Sequence, residues 1–269
     1  MARPVLETLL RHDRAIIAIA LALLTALAWL AVLQGAGTGM SAVAMTTWQF
    51  PPPRVAATAG EWGLAYWLTM LTMWWVMMIA MMLPSAAPMI LLYARVVRHG
   101  QSRAATPGSL APPAVFAAGY LACWLIFSLL AVVAQFALER AGLLDGMMMW
   151  SVNSVLTGAL FIAAGLYQIS PLKTACLSQC RSPAEFLSRH WRPGNRGAFR
   201  LGVVHGAYCL GCCWALMLLL FAAGIMNLVW IAGLAILVAV EKLVAFGADL
   251  APFTAGLLAG AGLYAILAA

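Results

Sequence analysis

Charge is what this sequence has least of. Asp, Glu, Lys and Arg make up only 9% of its 269 residues, while 65% are hydrophobic. That scarcity excludes an ordinary soluble domain, in which about 25% of residues are charged. The acids are too few and too scattered to supply the paired carboxylates of a glycosidase. Ser85 and Ser178 stand outside any G-x-S-x-G frame, so a serine hydrolase has no support. The phosphate loop G-x-x-x-x-G-K-[ST] is missing, which removes a P-loop ATPase. Low-complexity tracts and internal repeats are absent as well.

What the chain does have is a set of apolar runs, several longer than about eighteen residues and none alternating. Lipid offers no water to backbone N–H and C=O groups, so runs of this kind are helices and not barrel strands. The expected fold is all-α, a polytopic transmembrane helical bundle forming one integral membrane domain over 1–269. About seven spans are expected, at 15–33, 62–83, 113–138, 147–169, 201–223, 229–246 and 251–268, with six the alternative count. The first is kept as a span, because Gln34 to Gly37 makes a poor cleavage site for a signal peptide.

Lys and Arg set the orientation. Arg3, Arg11 and Arg14 precede the first span, Arg95, Arg98 and Arg103 follow the second, and Lys173, Arg181, Arg189, Arg192, Arg196 and Arg200 lie between the fourth and fifth. The alternate loops carry only Arg54 and Arg140. The positive-inside rule then puts the N-terminus in the cytoplasm of a bacterial inner-membrane protein, and the C-terminus outside if seven spans are right. The net charge of +7 follows from that topology. The basic 181–200 stretch is read as anchoring to the lipid bilayer and not as a nucleic-acid site.

Five of the six cysteines fall in two groups, Cys176 and Cys180, then Cys209, Cys212 and Cys213. Both groups are expected just inside the cytoplasmic face, the second in the early turns of the fifth span. On that reducing side metal binding or thiol redox chemistry is a stronger reading than disulfides. At 3.6 residues per turn, His205, Cys209 and either Cys212 or Cys213 stack on one helix face, with Met217 a turn further on. Cys176 and Cys180 share a face if their segment is helical. Cys123 stands alone in the third span and reads as structural.

Thiolates with imidazole suit Zn²⁺, whereas thiolate and thioether together select Cu(I). Met70, Met73, Met77 and Met81 recur down the second span, doubled by Met78 and Met82, and tilt the choice to Cu(I), with zinc the alternative. A stripe at this spacing is also what ordinary core filling produces. Glu241 and Lys242 point about 100° apart on a helix and so do not simply pair. Lys242 is expected to snorkel to the surface, leaving Glu241 facing the bundle as a proton carrier, charge partner or acceptor for His205. Glu61, Glu139, Asp145 and Asp249 are expected in water, as are His12, His99 and His190 at water or lipid. Pro84 and Pro88 require a break or kink in the second hydrophobic stretch, facing the bundle interior. Gly202, Gly206 and Gly211 allow another helix to approach closely.

Trp75 to Met89 (WVMMIAMMLPSAAPM), the stretch Pro171 to Pro183, and His205 to Met217 (HGAYCLGCCWALM) followed by Glu241-Lys242 resemble a bacterial family of predicted metal-binding integral membrane proteins, domain of unknown function 2182. The resemblance covers roughly residues 60–247. It implies metal binding in the bacterial inner membrane, with Cys176, Cys180, Cys209, Cys212 and Cys213 fitting the metal role. The expected function is binding of Cu(I) for transport or for delivery to a metallochaperone or metalloprotein, along Met73, Met77, Met81 and Met82 toward the thiolates. Two alternatives stay open: a thiol relay with Cys209 and Cys212 as its couple, and an assembly factor with a structural zinc.

Overall fold

The computed structural model describes the backbone of residues 2–53, 61–103 and 112–268 and the side chains of 14–53, 61–99 and 112–268. Arg54 and the side chains of Arg3, Arg11, His12 and Arg103 lie outside the described residues. The described chain is helical, in the order α1 (Ala2–Leu33), α2 (Leu64–Arg103), α3 (Pro113–Arg140), α4 (Ser154–Gln168), α5 (Pro171–Arg181), α6 (Pro183–His190), α7 (Gly194–Ala223), α8 (Leu228–Leu243), a 3₁₀ turn at Gly247–Leu250 and α9 (Ala251–Leu267). No strand occurs among the described residues beyond an isolated bridge between Leu144 and Ser151.

Five helical stretches are long and apolar enough to cross a membrane, and α4 with α5 makes a sixth if that pair, bent by 62°, counts as one broken span. Six is the lower of the two expected counts. The difference is α8, whose 16 residues rise about 24 Å against a hydrocarbon core of about 30 Å.

Local chemistry explains the bend. The Ser170 side chain caps α5 at Lys173 N (3.1 Å), and Pro171 follows at a first-turn position where its missing N–H costs nothing. That proline cannot extend the ladder of α4, so the chain turns and lays α5 against α7. Residues 171–181, for which the sequence leaves helix open, are therefore helix, and Cys176 and Cys180 stand one turn apart on it.

Three other expectations are corrected. The second hydrophobic stretch does not break: Pro84 and Pro88 lie inside a continuous α2, and both are exposed, not turned to the bundle interior. Met82 O, on the buried side, accepts from Ser85 Oγ at 2.9 Å and Tyr120 OH at 3.2 Å. Helix α7 begins at Gly194, so Cys209 to Cys213 occupy its middle and not its early turns. Glu139 and Asp145 are buried, not solvated. Trp62 Nε1 donates to Glu139 Oε2 at 2.8 Å, while Met147 N and Met148 N donate to Asp145 Oδ2.

Helices α3 and α7 pack backbone to backbone. A Cβ on Gly202 would stand 2.0 Å from Phe116 O, and one on Gly119 would stand 2.1 Å from Phe199 O. Gly202→Ala is therefore expected to lower the melting temperature in detergent, at a cost of about 1–3 kcal/mol for forcing the helices apart. Gly233→Ala, at a position with nothing within 4 Å of the added Cβ, is expected not to.

Candidate metal centre

The centre is assembled by five helices. From α7 come Cys209, Cys212 and Cys213, all buried. From α5, Cys180 lies beside Cys212. Cys176 lies against Gly211, where a Cβ would come within 2.7 Å of its Sγ, so the glycine is what lets α5 seat on α7. From α8, Lys242 Nζ donates to Cys209 Sγ at 2.9 Å and reaches Ser85 Oγ of α2 at 3.4 Å. From α3, Tyr120 OH is 3.1 Å from Cys209 Sγ. Met82 Sδ of α2 lies 3.9 Å from Cys213 Sγ.

The two cysteine groups thus meet, and all five of their members, like Cys123, are free thiols. Cys123 is not isolated: it lies on the α3 face beside Gly206 and close enough to Cys209 to interact electrostatically. Among the described residues, no group of three or more His, Cys, Asp or Glu is arranged to hold a metal ion. On α7, Cys212 and Cys213 are adjacent, and both turn back to donate to Cys209 O at 3.0 Å.

Lys242 does not snorkel. It is buried and its ammonium sits in the thiol cluster, where it supplies the charge that a thiolate in low dielectric needs. Glu241 does face the bundle, but it does not accept from His205. Its Oε1 takes Lys173 Nζ at 2.7 Å and Gln168 Nε2 at 2.8 Å. Lys173 Nζ also donates to Gln168 Oε1, and Gln168 Nε2 to Thr254 Oγ1 at 2.8 Å, which closes a buried polar network. Lys173 is accordingly no loop cation: it is only 1% exposed. Arg181 stays nearer the surface and caps α8, donating to Glu241 O (2.6 Å), Val244 O (2.8 Å) and Ala245 O (2.6 Å).

His205 is buried one turn before Cys209 among the rings of Phe116, Tyr120 and Phe186, with centroids 5.3–6.0 Å away. Its Nδ1 has no hydrogen-bond partner among the described residues. A buried ring nitrogen left unpaired is costly, and it is the kind of donor a soft metal takes. Met73, Met77, Met81, Met82 and Met217 are all buried. Of these, Met82 carries the stripe to the thiols.

Tyr120, Ser85, Lys173 and Gln168 border the centre without having been singled out from sequence. The usable signal was present for Tyr120 and Gln168, polar groups inside otherwise apolar helices. For Lys173 a basic neighbourhood concealed it.

A family model described as PpoB2, a copper chaperone, matches residues 71–265. No curated protein and no solved structure matches. The match carries the metal implied by the sequence resemblance, specified as copper, under a family name different from the one the resemblance suggested.

Proposed function

The chain belongs to the PpoB2 copper chaperone family, and from that premise we propose that it holds Cu(I) on its buried thiols within the membrane and hands the ion to a metalloprotein or metallochaperone. The observation that carries this reading is the ammonium of Lys242 set 2.9 Å from Cys209 Sγ inside a group of further thiols and a thioether. Two thiolates around Cu(I) leave one net negative charge. Lys242 cancels it, which matters where the dielectric is low. The donor set is soft throughout, thiol from Cys180, Cys209, Cys212 and Cys213 and thioether from Met82, and that set selects Cu(I) over harder ions. His205 Nδ1, lacking any other partner, is available as an additional donor.

In this reading the methionines Met73, Met77 and Met81 bring the ion through α2 to Met82, and the thiols lie in the cytoplasmic half of an inner-membrane protein. Thioethers bind the soft ion without a proton to lose, so each step along the stripe leaves the charge unchanged. The thiols form the tight end, since a thiolate adds charge to softness.

Anaerobic Cu(I) titration of the purified chain in detergent, against a chelator of known affinity, tests the reading. Cys209→Ser with Cys212→Ser is expected to weaken binding by at least roughly a hundredfold, since loss of even an outer-shell partner of a metal site costs about 10–100-fold. Unchanged copper affinity would overturn it. Mixed disulfides trapped by Cys212→Ser without copper would support a relay instead, and zinc whose removal unfolds the chain would support a structural site.

A further inference from the structure

The arginine-rich end of the bundle carries two cavities that the copper reading does not use. Between residues 181 and 200 stand five arginines and a single acid, Glu185. That acid is already taken by Arg189, at 2.6 Å on the exposed surface of α6. Arg192 and Arg200 have no ion-pair partner among the described residues. Both line one cavity of about 270 Å³, together with Arg189 and His190, where the end of α6 meets the first turns of α7. Guanidinium groups that share a hollow without an anion repel each other, and a phosphate is the group that their planar donors match.

A second cavity, of about 390 Å³, adjoins the first at Trp191, which lines both. Its other walls are Leu92 and Val96 of α2 and Ala184, Leu187 and Ser188 of α6. The one hydroxyl among them is spent, since Ser188 Oγ donates to Glu185 O at 2.8 Å. A cationic hollow and an apolar one therefore share a wall, and that wall is an amphipathic ring held against Tyr93 with centroids 5.6 Å apart. Tryptophan rings settle at headgroup level in a bilayer. The length of α7 puts the arginines at the same level. Its 30 residues rise about 45 Å, some 15 Å beyond a hydrocarbon core of about 30 Å, and the excess falls at its first turns, because 201–223 hold no Asp, Glu, Lys or Arg.

We infer that the paired cavities form a discrete site for one anionic phospholipid, with its phosphate between Arg192 and Arg200 and an acyl chain in the hollow between α2 and α6. Charge complementarity selects the headgroup, as it does in other basic pockets between membrane helices. The shared wall selects an amphiphile over a free phosphate, which has no use for the apolar hollow. The inference rests on the bundle lying in a bilayer and not on copper. A lipid seated there braces α6, the link between the two cysteine-bearing helices, whose Phe186 ring lies 5.3 Å from that of His205.

Native mass spectrometry of the full-length chain in detergent tests it, with phosphatidylglycerol, with phosphatidylcholine of the same chains, and with glycerol phosphate as a headgroup without chains. Wild type is expected to keep one phosphatidylglycerol and to hold phosphatidylcholine at least roughly tenfold more weakly. Arg192→Gln with Arg200→Gln is expected to abolish that preference. Arg95→Gln with Arg196→Gln removes the same charge outside both cavities and is expected to retain it. Ala184→Trp fills the apolar hollow from an exposed position and is expected to weaken phosphatidylglycerol by roughly tenfold or more, since each CH₂ of a buried chain counts. If that variant fails to fold, Val96→Trp on the facing helix decides. Equal losses in the two arginine variants, or phosphatidylcholine held as tightly as phosphatidylglycerol, overturn the site and leave a general surface attraction. Glycerol phosphate that displaces the lipid at equal concentration, with no effect of the tryptophan variant, overturns the lipid and leaves a site for a free phosphate.

Discussion

Lys173→Met is expected to cost the fold about 3–5 kcal/mol, the range found when one partner of a buried ion pair is removed. Glu241 would keep Gln168 Nε2 at 2.8 Å but lose the ammonium at 2.7 Å, and both partners are almost entirely hidden. Thermal unfolding in detergent, followed by circular dichroism, checks it. Removing both charges together, with Lys173→Met and Glu241→Leu, is expected to recover much of the loss, because no unpaired charge then remains and a similar volume is filled. A single variant as stable as wild type would show that the pair contributes nothing.

Lys242→Met is expected to act on copper and not on the fold. The two buried ammonium groups differ in what they leave behind. Without Lys173 a carboxylate is stranded, whereas without Lys242 the neighbour is Cys209, and a thiol is neutral. The melting temperature should therefore change little. A hydrogen bond to a charged group is worth about 1.5–3 kcal/mol, and about 1.4 kcal/mol is tenfold in binding. Cu(I) affinity should fall by about ten- to a hundredfold. Chelator competition reads this directly, and undiminished binding would remove Lys242 from the proposed site.

The features legible in the sequence were those set by composition and by spacing along one element. Apolar runs set the helical class, although about seven spans were expected and five are long enough, or six with the bent pair; the i, i+4 rule placed Cys176 with Cys180 and His205 before Cys209. The meeting of the two cysteine groups needed no partner information beyond both lying on one side. Other features depend on contacts between distant segments. Lys173 sits in a stretch whose other basic residues are arginines, and its burial is decided by Glu241, 68 positions away. The pair Glu241-Lys242 shows the same limit. Spacing says that they diverge, but not that Lys242 meets the thiols while Glu241 meets Lys173. Pro84 and Pro88 misled for a different reason: a proline inside a helix removes one hydrogen bond and need not end the helix, and α2 continues through both. Glu139 looked solvated because it stands next to Arg140 at a helix end, but the side chains of Trp62 and Gln135 hold it inside.

Arg181 gives the proposed centre a mechanical property. One guanidinium donates to three carbonyls in and just past the last turn of α8, from a residue only one position beyond Cys180. The short helix bearing Cys180 and the helix bearing Lys242 are thereby latched into a single jaw, with α7 as the other. Its contact with α7 runs over Gly211, where a Cβ would meet Cys176 Sγ at 2.7 Å, so the two parts of the centre meet where one of them carries no side chain.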